Sequence, residues 1–211
     1  SRMLVMTTGP IEGDEIFHTI DQIRDIAYQY YHEVYVVGDS TSDYDLSKSF
    51  TQDNLMVSIM TAVFVAIILL FTFTNYSIPL ILVATIQTSI WINFSIPAVT
   101  GTGMFFLSYL IVSSIQMGAT IDYAIVITSR YMDLKTYMPI RQAAIEALNQ
   151  AFPTIVTSGS MLVSAGFIIS NVSSNAAVAA IGLALGRGTL TSILLVLLAL
   201  PQTLLLGDII I

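Results

Sequence analysis

The stretch Ser114–Lys135, SIQMGATIDYAIVITSRYMDLK, holds the one charge in a long uncharged run. From Asn54 to Ser129 the only Asp, Glu, Lys or Arg is Asp122; Arg130 and Lys135 follow. Crossing a hydrocarbon core takes about 20 mostly apolar residues, so such a run reads as several membrane helices, one of them with a carboxylate inside. The composition agrees. Of 211 residues 55% are hydrophobic and 10% charged, with a mean hydropathy of +0.80; soluble domains carry roughly 25% charged residues.

Five stretches qualify as spans, at about 55–74, 78–97, 102–131, 153–172 and 182–206. Between the third and fourth, the segment at about 138–151 puts Ile140, Ala144, Ala147, Leu148 and Ala151 on one face, behind Pro139. That pattern predicts an amphipathic helix on the membrane surface, with Pro153 opening the fourth span. The expected fold is an α-helical integral membrane bundle over residues 55–211, preceded by a polar piece, residues 1–54.

In that piece RMLVMTT stops at Gly9-Pro10, Ile16, Ile20, Ile23, Ala27 and Tyr30 recur at helical spacing, and EVYVVG closes at Gly38. The order strand, helix, strand predicts a partial α/β (βαβ) subdomain. So small a unit does not bury both sheet faces, and the chain does not open on Met; both features predict a piece excised from a longer protein. The polar run from Gly38 to Asn54 is expected to feed into the first span as a helix.

Residues 1–54 hold ten acids and three bases, while residues 55–211 hold four of each. The net charge of −7 is therefore a property of the N-terminal piece, an acidic solvated face. No basic cluster suits nucleic acid. Without cysteine there is no disulfide or thiolate metal site, and His18 and His32 have no second set of ligands at metal spacing. GTG at 101–103 and GRG at 186–188 lack the strand and helix of a nucleotide site, and no glycine loop carries its lysine. No cofactor, metal or enzymatic activity is expected.

Arg130, Lys135 and Arg141 lie at one side of the spans, Lys48 and Arg187 near the other. The positive-inside rule then puts the 131–152 connection in the cytoplasm and the acidic piece outside. Arg187 reads as the outer end of the last span, snorkelling to the headgroups. Asp122 precedes Arg130 by eight residues, about 12 Å at helical rise, near the middle of an about 30 Å core. A central aspartate costs about 2.5–3.5 kcal/mol, a cost met by partners, protonation or water. Burial favours a carboxylate's neutral form, which suits a proton carrier.

Tyr123 adds a hydroxyl beside Asp122. Gly118, at i−4, leaves room on the same face for a neighbouring helix or a file of water. Ser158 and Ser160 of the fourth span reach a similar depth, either as relay hydroxyls or bonded to their own helix. Intramembrane acids usually mark proton or ion paths; the alternative is an aspartate that glues helices together.

The run GATIDYAIVITSRYMDLK resembles the corresponding span of the resistance–nodulation–division superfamily, in its MmpL-like branch, through Gly118, Asp122, Tyr123, Ser129, Arg130 and Tyr131. AIEALNQAFPTIVTSG, LLALPQTLLL and VYVVGDSTSDYDL are similar to its surface helix, its last span and the end of its extracytoplasmic porter domain. The resemblance implies a proton-driven exporter of lipids or other amphipathic compounds in the cell (cytoplasmic) membrane. Asp122 and Tyr123 match the proton-relay pair and Ser158 a hydroxyl on the next helix; Ser160 and Gly118 support or pack. The implied partners are membrane lipids, a lipid-like substrate and the other repeat of a two-repeat protein, of which this chain would be the C-terminal half. Homo-oligomerisation stays open. The rival reading is a non-transporting membrane scaffold or sensor in which Asp122 is structural.

Overall fold

A computed structural model describes residues 3–6, 14–73, 76–101 and 106–210. The elements are α1 (Asp14–Tyr30), α2 (Asp39–Thr72), α3 (Ser77–Thr100), α4 (Phe106–Leu134), α5 (Ile140–Val172), α6 (Ala176–Leu198) and α7 (Leu200–Ile210). They form two units, Ser1–Asp53 and Asn54–Ile211.

In the first unit α1 packs on the start of α2. Ile16 and Ile20 are buried with Tyr44, and the Phe17 ring lies 5.2 Å from that of Tyr44. The Tyr44 hydroxyl donates to Asp21, Arg24 Nη2 donates to Asp45 at 2.9 Å, and Lys48 Nζ sits 4.3 Å from the Tyr44 ring centroid. The Tyr44 hydrogen bond holds the Asp21 carboxyl below its usual range, and contact with Tyr44 raises Lys48. The predicted βαβ subdomain is not found: among the described residues there is no strand. Met3–Met6 and residues 34–37 are irregular, with Met3, Tyr35 and Val37 exposed, and 7–13 lie outside the described residues. The physical reason is partnership. A strand needs a neighbouring ladder, and the buried part of the apolar stripe of α1, Ile16 and Ile20, is covered by Tyr44 of α2.

The second unit is the expected helical bundle, with five helices long and apolar enough to cross a membrane. Helices are what spanning segments must form, since hydrocarbon offers backbone N–H and C=O groups no partners. Pro79 sits in the first turn of α3, where its missing N–H is harmless. That helix ends at Gly101, whose φ of 67° puts it in the left-handed region, with its N–H bonded to Pro97 O. Asn175 caps α6 by accepting from Ala177 and Val178 N–H. Within the unit α5 and α6 pack most extensively. A Cβ on Gly166 would stand 2.6 Å from Gly186 N and 2.8 Å from Gly182 O, so these backbones touch only because side chains are missing. The core joins Leu69, Leu82, Ile86, Met117, Ala124, Ile127, Ile155 and Val196.

Two boundaries differ from expectation. The segment 138–151 is not a separate helix; α5 runs unbroken from Ile140 through Pro153 to Val172. Its alanine face is covered by protein, for Ala143, Ala144, Ala147 and Ala151 all join the core. The last span starts at Ala176, and α6 gives way to α7 at Ala199, just before Pro201, which has no N–H to continue the ladder.

Candidate functional site

Neighbours on a helix point about 100° apart, and α4 uses that angle to separate Asp122 from Tyr123. Tyr123 is buried, packed where α4 meets α5 and α6. Its hydroxyl lies 3.8 Å from the place a Cβ on Gly159 would take, beside the Ile193 side chain. Asp122 is exposed, on the same open face as Gly118 and Ile115. Nothing lies within 4 Å of the Cβ position of Gly118, so no described helix covers that face. Among the described residues Asp122 has no hydrogen-bond or ion-pair partner.

The structure does not bring the predicted serines to this pair. Ser158 Oγ donates to Thr154 O and Ser160 Oγ to Thr157 O, both at 2.9 Å, and both residues are exposed. Such i−4 and i−3 bonds satisfy a hydroxyl within its own helix. Gly159 between them, rather than either serine, touches Tyr123.

Sequence reasoning missed a second polar centre, built from α3, α4 and α6. Gln116 Nε2 donates to Ser89 Oγ at 3.0 Å, Ser192 Oγ at 3.1 Å and Gly188 O at 3.1 Å. Its Oε1 accepts from Asn93 Nδ2 at 3.0 Å, which also donates to Ala184 O at 3.0 Å. Ser89 and Ser192 share a bond of 2.7 Å. Arg187 closes the set, donating from Nε to Asn93 Oδ1 at 2.9 Å and from Nη2 to Asn93 O at 3.3 Å. Ser89, Asn93, Gln116 and Ser192 are fully buried. Gly188 makes the space, since any Cβ there would run into the Gln116 and Asn93 carboxamides. The signal was present as polar or side-chain-free residues at i, i+4 inside two spans, Ser89/Asn93 and Gly188/Ser192.

A third group ties the end of α4 to α7. The Tyr131 hydroxyl donates to Asp208, and Lys135 Nζ donates to both its carboxylate oxygens, at 3.0 and 3.2 Å. Tyr131 and Asp208 flank a small cavity lined also by Ser77, Ile81 and Leu204. Tyr131, noticed only as part of the Ser-Arg-Tyr run, is therefore an anchor for the end of the helix that bears Asp122.

The model of the MMPL family matches residues 1–207, taking in the acidic unit and every span. Comparison with curated proteins finds no match. With five apolar helices, an intramembrane aspartate and a family match over nearly its whole length, this multi-pass membrane chain belongs to the MMPL family of RND-type transporters.

Proposed function

We propose that the chain is part of a proton-motive-force-driven exporter of lipids or other hydrophobic and amphipathic compounds, with Asp122 as its proton site. The observation that carries this reading is the outward position of Asp122 in mid-span, without a partner among the described residues and beside the opening left by Gly118. A carboxylate used as glue would be bonded to a helix of its own bundle, and among the described residues this one is not. Protonation and release there change the charge on the face of α4, while Tyr123 on the inner side carries the change to α5 through Gly159. A potential of 100 mV supplies about 2.3 kcal/mol per charge, comparable to the cost of an aspartate at the bilayer centre, so one proton biases a two-state packing change.

The face bearing Gly118 and Asp122 is where the other repeat would pack, bringing its own relay group. Membrane lipids cover the rest, and the acidic unit stands outside the cell (cytoplasmic) membrane. Ser158 and Ser160, committed to their own helix, are left as secondary supports.

The test is Asp122→Asn in the full-length protein, which keeps shape and a hydrogen-bonding group but cannot cycle a proton. Stable insertion with export lost supports the relay. Export at the wild-type rate refutes it, and loss of insertion would favour the scaffold reading.

A further inference from the structure

We infer that Arg187 is the headgroup site for an anionic membrane lipid, with the acyl chain lying along α6. The depth fits. Together α6 and α7 run from Ala176 to Asp208 as one candidate span of 33 residues, about 50 Å at helical rise, against a hydrocarbon core of about 30 Å. Each end therefore projects by about 10 Å. Arg187 lies eleven residues in, and helical side chains lean toward the N-terminus, so its guanidinium reaches the boundary between headgroups and acyl chains. The leaflet is the one at the α5–α6 turn.

The charge is unanswered. Arg187 is only half-buried, and no ion pair to it occurs among the described residues, whereas Lys135 has Asp208. A guanidinium carries five N–H donors, and two atoms, Nε and Nη2, bond Asn93. Among the described residues nothing bonds Nη1 or the second Nη2 hydrogen, a fork that suits phosphate oxygens. The cation is also held in place from beneath. Asn93, which orients it, is fixed by Gln116 and Ala184 O, and Gln116 in turn by Ser89, Ser192 and Gly188 O. A buried support of this kind is what a preorganised binding group requires.

The surface around Arg187 selects a lipid rather than a free anion. Leu183, Leu190, Leu194 and Leu198 are all exposed and recur at four, three, four and four residues around Arg187 on one helix face. Leu190 and Leu194 continue from the guanidinium toward the membrane centre, the direction an acyl chain takes from its phosphate. The Phe94 and Tyr109 rings, 4.8 Å apart, supply an aromatic pair near the headgroup level.

Native mass spectrometry of the purified full chain, offered equal dioleoylphosphatidylglycerol and dioleoylphosphatidylcholine, tests the site without measuring transport, so its result is independent of the Asp122 test. The wild-type protein should retain the anionic lipid about tenfold more strongly, the size of one charge-assisted contact. Arg187→Gln should bring the two lipids to near parity, and 10 mM inorganic phosphate should displace neither. An unchanged preference in Arg187→Gln overturns the site, and displacement by phosphate overturns its assignment to a lipid. Should Arg187→Gln fail to insert, Leu190→Asn, on the exposed stripe and outside the buried network, takes its place. It should weaken retention of the anionic lipid about threefold, and undiminished retention would equally overturn the proposal.

Discussion

Gln116 and Asp122 stand six residues apart on α4 and live in opposite circumstances. Gln116 is fully buried, with its carboxamide bonded to Asn93, Ser89, Ser192 and Gly188 O. Asp122 is exposed and unbonded among the described residues. Both are polar groups inside a membrane helix, where an unsatisfied group is costly. One has been satisfied within its own bundle and so fixes α4 to α3 and α6. The other has been left free, and only a free group can change its protonation or partner without breaking the bundle. On the proposed reading, the same helix carries a clamp and a switch.

The sharpest way to break that contrast is to substitute at each position and compare function with stability. Asp122→Asn should reduce export at least about 100-fold, the scale of losing a proton-transfer group. Its unfolding midpoint in detergent should stay within the range of surface changes, about 0.5 kcal/mol. A large drop in stability would mean that Asp122 is a clamp after all.

Gly188→Ala attacks the other side. The new Cβ has no room beside the Gln116 and Asn93 carboxamides, so it should destabilise the bundle by about 1–3 kcal/mol through overpacking. Thermal unfolding followed by circular dichroism reads this directly. Ser89→Ala is the milder version. It removes one hydroxyl, but Gln116 Nε2 keeps Gly188 O and Ser192, so the loss should be near 1 kcal/mol, a single net hydrogen bond. If Ser89→Ala costs as much as Gly188→Ala, the network is cooperative beyond its pairwise bonds.

The two regions also differ in how far the sequence exposed them. Asp122 announces itself, because a lone acid among 75 uncharged neighbours from Asn54 to Ser129 is visible without a fold. The span pattern was legible for the same reason, since charge and length alone define it. The Gln116 network was not, because Asn, Gln and Ser interrupt hydropathy only weakly, and their meaning lies in which helices meet. Nor was the continuity of α5, where an alanine face suits a membrane surface and a helix neighbour equally. The βαβ expectation failed at the same level. Ile16 and Ile20 announce an amphipathic helix, but the partner of that face is Tyr44 of α2, and periodicity does not say whether a helix meets a sheet or another helix.

The acidic unit gives the smallest effect and a contrast of another kind, since Arg24 and Lys48 are paired in water with Asp45 and Asp21. The Asp21 carboxyl is held below its ordinary value of 3.8 chiefly by the Tyr44 hydroxyl, and Lys48 above 10.5 by contact with Tyr44 and Asp21. A carboxyl lowered on folding adds stability above pH 3.8, lost as pH falls through the lowered folded value; a raised lysine adds stability below pH 10.5, lost as pH rises past its raised value. Packing of α1 on α2 should therefore be independent of pH across the neutral range and weaken only beyond both limits. The chain has no cysteine, so a single fluorophore on Tyr35→Cys reports urea unfolding of this unit at each pH. Asp21→Asn should remove most of the acid-side slope and part of the alkaline one, since Asp21 is one of the two groups that raise Lys48. If the acid-side slope survives Asp21→Asn intact, the Tyr44–Asp21 bond does not hold the two helices together.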